Sequence, residues 1–378
     1  MMAALSAWSD RLLGRGEASI TVPVFDGALK SNQLIEDAKV LTDLVAPTDL
    51  ATDGKSVFVA DGSRVWQHEG DSAAWAPSEL AVGATAAGQT ITALACLPDG
   101  GMALALGGKV IQIVGGLQGG RRFDSVAGRP LNAVNALTTA ANGRLVATDG
   151  SLTQPTERWK HDLMELGKTG RVLAFNLADG SASELAAGLA YAYGACATAE
   201  GVWACESWRH RLVQIGAVSD VRRETPSVVV DNLPGYPSRI SPAQGGGYWL
   251  TCFALRTQLV EFVLREPTFR KRMLKEIDPA YWIAPALNSG NTFLEPMQGA
   301  HLKMMGVVKP WAPPRSYGLV IRLAEDGGIR YSLHSRFDGQ HHGVTAAVEC
   351  AGYLYLLAKG RNRLLRLSVA ELERSLAV

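Results

Sequence analysis

The strongest constraint in this chain is a phrase that recurs six times. Each copy has a small or polar residue about eight positions before a turn glycine, then an apolar run that favours strand. The copies occupy 47–60, 92–106, 135–148, 193–206, 238–251 and 344–357, the first being two residues shorter before its glycine. Their turn glycines are Gly54, Gly100, Gly143, Gly201, Gly246 and Gly352, separated by 46, 43, 58, 45 and 106 residues. The recurring separation is about what four short strands and their turns need in one propeller blade. The repeat therefore predicts an all-β fold, a six-bladed β-propeller, with insertions at the two long gaps. The fullest copy is 231–251: a polar turn to Pro237, a short strand, glycines 245–247, then an aromatic strand.

A chain of 378 residues is long for one ordinary core, but repetition makes a single domain over 1–378 reasonable. Lys and Arg number 37 against 36 Asp and Glu, which provides no basic field for nucleic acid. No apolar run approaches the ~20 residues of a membrane span. In the N-terminus, Ser6, Ser9 and Asp10 interrupt any secretory core, so 1–16 reads as a short amphipathic helix. Cys96, Cys196, Cys205, Cys252 and Cys350 fall in inner-blade strands without CxxC spacing, which points to reduced thiols and a cytoplasmic location. The expected partner is a small molecule, with neither nucleic acid nor membrane; the oligomeric state is left open.

A ring of blades must be closed, or two sheet edges stay open. The alternating stretch within 17–25 is the expected closing strand of the last blade. Blades four, five and six are expected at 184–215, 227–263 and 317–367. The insertion at 151–169 is polar and helix-prone. The one at 255–314 carries Phe262, Phe269, Met273, Leu274 and Ile277 at helical spacing. Both are expected to cap one face.

Several phrases resemble the strictosidine synthase-like family, six-bladed propellers akin to gluconolactonases and paraoxonases. They are ATD at 147–149, GRVL at 170–173, ESWR at 206–209 and DNLPGYP at 231–237. The resemblance covers roughly 45–367. It implies a channel-mouth site and, in the metal-dependent relatives, calcium held by a Glu, Asn residues and an Asp. Matched by repeat position, that Glu is Thr48 here, one Asn is Tyr193, the Asp is Ser238, and Asn135 alone keeps its type. The acid/base Glu of plant strictosidine synthases falls on Thr345. Neutral hydroxyls are weak ligands for a hard cation, so no cofactor is expected, with calcium on displaced ligands as the alternative. Asp49 lies one residue off and is expected to point away from the channel.

The remaining acid/base candidates are His341 and His342, just before the last inner strand, as catalytic groups. Thr48, Thr92, Asn135, Tyr193, Ser238, Arg239 and Thr345 are the substrate-binding candidates. Arg239 could equally form a blade-to-blade salt bridge, and the His pair an ordinary hydrogen-bonded loop. There is no G-x-S-x-G, H-E-x-x-H or P-loop pattern. Three functions follow: metal-independent hydrolysis of an ester or lactone, or acid/base chemistry on a carbonyl or amine; a metal-dependent lactonase with shifted ligands; or a non-catalytic binding or scaffold propeller.

Overall fold

The computed structural model describes residues 22–69, 75–78, 89–140, 142–216, 225–292, 294–296, 303–304, 307–308 and 315–376. Six four-stranded antiparallel sheets form the blades of a propeller. Their inner strands are Pro47–Thr52, Ile91–Cys96, Val134–Thr139, Ala192–Thr198, Gly235–Pro242 and Val344–Cys350. All six predicted turn glycines have positive φ, from +77° at Gly143 to +144° at Gly201. At Gly54 an added Cβ would meet nothing within 4 Å, so that turn needs glycine for its backbone conformation alone.

Two sequence-encoded devices hold the blades together. Apolar residues alternate along each strand and pack between neighbouring sheets; one such layer joins Ala93, Ala105 and Ile113 of blade two to Leu145 and Leu173 of blade three. Carboxylates at the ends of second strands catch amides at the next turn inward. Asp61 accepts from Ala46 at 2.5 Å, Asp149 from Ala133 at 2.7 Å and Glu206 from Ala190 at 2.8 Å. Asp149 is also locked to fully buried Arg171 at 2.8 Å, and Glu206 to Arg211 at 2.6 Å and Arg209 at 3.7 Å. The family-like phrases at 147–149, 170–173 and 206–209 thus have architectural roles.

The ring closes through a different strand from the one expected. Lys39–Asp43 adds to the outer edge of blade six, pairing Lys39 with Arg366 and Asp43 with Arg363. Residues 17–21 lie outside the described set, and 22–24 are not strand; the 1–16 helix also lies outside it. Lys39–Asp43 was hidden because an edge strand half open to solvent shows no apolar alternation. Just before it, fully buried Ile35 packs between blades five and six. A chain lacking residues 1–43 should therefore melt several degrees below one lacking residues 1–30, by thermal scan. Equal midpoints would mean that Lys39–Asp43 does not close the ring.

Blade boundaries shift accordingly. Ala182–Leu189 is the outer strand of blade three and Ser227–Val230 that of blade four. Leu319–Leu323 and Ile329–His334 complete blade five, so blade six begins at Val344 and not near 317. Both insertions join the second and third strands of their blades, three and five, and so emerge at the end where the inner strands begin. The first carries α1 (Trp159–Met164). The second carries α2 (Gln258–Arg265), N-capped by the Thr257 hydroxyl, and α3 (Pro267–Glu276), with Pro at its first turn. Val260, Val263, Met273 and Trp282 of the second insertion pack with Leu163 and Met164 of the first. All five cysteines are free thiols. Among the described residues no helix is long and apolar enough to cross a membrane.

Candidate functional site

The inner strands bring Asp49 and Arg239 together across the central channel. Arg239 Nε lies 2.7 Å from Asp49 Oδ1, linking blade five to blade one. Its Nη2 donates to the Thr92 carbonyl at 3.1 Å and to the Asn135 carbonyl, reaching blades two and three. Asp49 also accepts from the amides of Leu50 at 2.8 Å and Leu94 at 2.9 Å. Asp49 is only 2 % exposed and Arg239 8 %. Burial raises the Asp49 carboxyl to about 6, against the opposing pull of Arg239.

The expectation that Asp49 faces away from the channel is therefore corrected. It fails because each inner strand has a register shift near its start, between Pro47 and Asp49 in blade one. A bulge breaks strict alternation and turns the next side chain to the other face.

Lys359 of blade six is coupled electrostatically to the same pair. It begins the short 3-10 turn Lys359–Arg361 after the second strand, and its amide donates to Gly343 O at 3.0 Å, beside the start of the inner strand. Burial, reinforced by the Arg239 charge, lowers its ammonium to about 8, while Asp49 and Glu157 pull the other way. Aromatic groups cover the cap side. The Tyr193 ring lies 5.5 Å from the Arg239 guanidinium, 5.9 Å from Tyr191 and 5.7 Å from Phe253. Trp159 of α1 packs edge-on to Phe253 at 5.2 Å. Trp208 stacks on Tyr191 at 4.4 Å and donates to Asp162 of α1 at 2.7 Å, which ties the first insertion to blade four.

Buried polar atoms in native proteins are nearly always satisfied. Here Arg239 Nη1 and Thr345 Oγ1 have no hydrogen-bond partner. Two such atoms on inner strands leave this chamber of the channel with unspent polar capacity.

Other candidates are engaged in structure. Thr48 Oγ1 donates to Ile91 O at 2.6 Å, and Thr92 Oγ1 to Val134 O at 2.7 Å, each joining one blade to the next. Ser238 Oγ meets Thr251 Oγ1 at 2.7 Å, and Thr251 donates to Thr345 O at 3.0 Å. Asn135 Nδ2 donates to Ala192 O at 3.3 Å. His341 Nδ1 donates to Ile35 O at 2.9 Å, against the N-terminal segment. His342 Nε2 donates to Arg336 O at 2.7 Å, and its Nδ1 accepts from Ser316 at 2.8 Å. Burial lowers the His342 pKa. With both ring nitrogens engaged, His342 has no free base atom, and the pair serves the loop between blades five and six. The expectation of His342 as a general base is thus corrected, because both of its ring nitrogens are spent inside the protein.

Asp49 and Lys359 were missed. A signal for Lys359 existed: it holds the place in blade six that Ser207 holds in blade four. Both open a 3-10 turn ending in a left-handed residue, His210 or Asn362. Ser207 points inward and donates to Pro237 O at 2.6 Å.

Calcium requires six to eight oxygens, several of them carboxylate. At the cap end the channel offers one carboxylate, Asp49, already held by a guanidinium and two amides. Among the described residues no group of three or more His, Cys, Asp or Glu side chains could hold a metal. This donor set does not fit calcium. A groove of about 480 Å³ beside the cap is lined by Arg209, Arg211, Arg256 and Glu261. Three of its arginines are paired: Arg256 lies 3.2 Å from Glu261, and Arg209 and Arg211 meet Glu206.

No family model matches the chain. In sequence it is similar to adipocyte plasma membrane-associated protein of Salmo salar, 28% identical over 238 residues, covering 61% of this chain and 50% of that protein. The Mus musculus protein is 27% identical over 239 residues, with the same coverage. The chain thus spans about half the length of the curated relatives it matches. Among solved structures, a gluconolactonase from Xanthomonas campestris superposes with a TM-score of 0.55 at 13% identity, covering 92% of this chain and 95% of that one. Regucalcin, a calcium-binding protein from Agrobacterium tumefaciens, gives 0.50 at 12% identity, covering 87% and 92%. At such identities the structures establish the fold alone. The chain is a six-bladed propeller similar in sequence to the adipocyte plasma membrane-associated proteins and in fold to gluconolactonase and regucalcin.

Proposed function

We propose that this propeller hydrolyses a small lactone or ester in the channel, using side-chain cations in place of a metal ion. One observation carries the reading: Arg239, which reaches across the channel from blade five to Asp49 of blade one, keeps Nη1 unpartnered, and the charge of Lys359 from blade six is felt at the same pair. A guanidinium N–H can stabilise the negative charge that develops on a carbonyl oxygen under attack. Neutral Lys359 can take the proton from water as the water oxygen bonds to the carbonyl carbon. When the ring or ester C–O bond breaks, the ammonium returns that proton to the departing alkoxide. The products are a carboxylic acid and an alcohol, joined in one molecule if the substrate is a lactone. Asp49 holds the guanidinium in place. Packed aromatics over the mouth exclude water from the reacting centre. The likeness to a gluconolactonase supports the choice of a carbonyl substrate; the free thiols support a reducing compartment.

The test is a panel of lactones and aryl esters assayed with chelator and with added calcium. Turnover is expected, equal under both conditions and lost in Arg239→Met. Turnover that appears only with calcium would transfer the reading to a lactonase with displaced ligands. No turnover across the panel, together with tight binding of a panel member, would make the chamber a binding site only.

A further inference from the structure

We propose that the opposite end of the channel is a second binding site, for a monocarboxylate with an aliphatic tail. The six inner strands do not fill the channel below the Asp49–Arg239 pair. They leave a cavity of about 390 Å³ at the end where the strands finish, away from the cap. That volume is within the range of small-ligand pockets. The cavity is wide because several strands present alanine, at Ala51, Ala136, Ala195 and Ala346, with Leu94 and Val348 between them. Such a wall suits an aliphatic chain; of its hydroxyls, Thr139 and Ser241 are spent on the carbonyls of Cys96 and Ala347.

The charged groups of the cavity then select the head group. Two carboxylates line it, and both already accept hydrogen bonds from the protein. Asp49 accepts from two amides and faces Arg239. Glu349 accepts from the Trp249 indole at 2.8 Å and from the Gln244 amide at 3.2 Å. Arg239 also lines it, is more than nine-tenths buried, and keeps Nη1 without a partner. A planar carboxylate is the natural complement of a guanidinium edge. The inference rests on this free nitrogen and the cavity, independently of hydrolysis. If Nη1 also serves the reaction, an occupant bound from below suppresses turnover.

Sodium octanoate is the probe, with sodium acetate as the tail-less control. A ligand that binds only the native state raises the melting temperature with concentration. Octanoate should raise it by several degrees at millimolar concentration, and acetate should not. Thr138 lines the cavity, is half-buried, and has no part in the proposed chemistry. Thr138→Phe should abolish the octanoate shift. Lys359→Met should keep it while losing turnover, which separates this site from the hydrolytic one. A crystal soaked with octanoate should show its carboxylate on Arg239 and its tail beside Thr138; this holds the test open even if Thr138→Phe fails to fold. No shift in the wild type, an equal shift in Thr138→Phe, or density elsewhere would each overturn the proposal.

Discussion

Arg239→Met should destabilise this protein by about 3–5 kcal/mol at pH 7.5, the usual consequence of removing one partner of a buried ion pair. The neighbouring contacts make the upper part of that range reasonable. Arg239 joins blade five to Asp49 of blade one and to carbonyls of blades two and three, so one side chain spans much of the ring. Without it, Asp49 remains buried with two amide donors and only the weaker pull of Lys359 as countercharge. The loss should also depend on pH, and the sign is fixed. Asp49 has a folded pKa of about 6, raised from 3.8 by burial despite Arg239. A raised carboxyl pKa contributes stability that is complete below the unfolded value and is lost as pH rises through the folded one. Removing Arg239 raises the folded pKa further, so the variant folds with Asp49 protonated over a wider range. The deficit of Arg239→Met should shrink markedly at pH 5. Asp49→Asn combined with Arg239→Met should recover much of the loss at pH 7.5, because the pair is coupled. A deficit equal at pH 5 and 7.5, with no recovery in the double variant, would mean that Arg239 acts through packing and not through charge.

The repeat made the fold legible because a turn glycine with positive φ is a local requirement, written once per blade. Gly54, Gly143 and Gly352 meet no neighbour at their missing Cβ, so nothing but the turn itself fixes them. The closing strand was illegible for the opposite reason. Lys39–Asp43 gains its place from hydrogen bonds to Arg363–Ser368, some 320 residues away, and its sequence carries no period of its own. The site was half legible. Counting from the repeat brought Asn135, Tyr193 and Arg239 to the channel, since all lie on inner strands. The count failed by one residue at Asp49, where the bulge after Pro47 resets which side chains face inward. It failed at His341 and His342, since position in a loop says little about direction. His341 Nδ1 and both His342 nitrogens are taken by Ile35, Ser316 and Arg336, contacts that no local pattern announces. Lys359 reads in sequence as an ordinary surface lysine in a Lys-Gly-Arg-Asn turn. Only the ring brings it within reach of the field of a charge from blade five.

That placement yields the second large effect. If neutral Lys359 is the base, kcat/KM for a hydrolysed lactone should rise with pH through about 8 and level off above it. Burial and the Arg239 charge set that midpoint, well below the 10.5 of an ordinary lysine. Lys359→Met should cut turnover by about 10²–10⁴, the usual contribution of a positioned general base, and abolish the rise near 8. Stability should not fall with it. A lysine whose folded pKa is lowered makes the protein gain stability as pH rises from 8 toward 10.5, so at pH 7 its charge opposes folding. The Met variant should therefore melt no lower than the wild type at pH 7, which separates lost chemistry from lost structure. Lys359→Arg supplies the decisive comparison. Arginine keeps the positive charge but stays protonated throughout this range, so it cannot accept a proton. It should be as inactive as Met. If Arg restores turnover, and wild-type activity falls above pH 8 instead of rising, Lys359 serves as a fixed charge toward the carbonyl oxygen and the base must be sought elsewhere in the chamber.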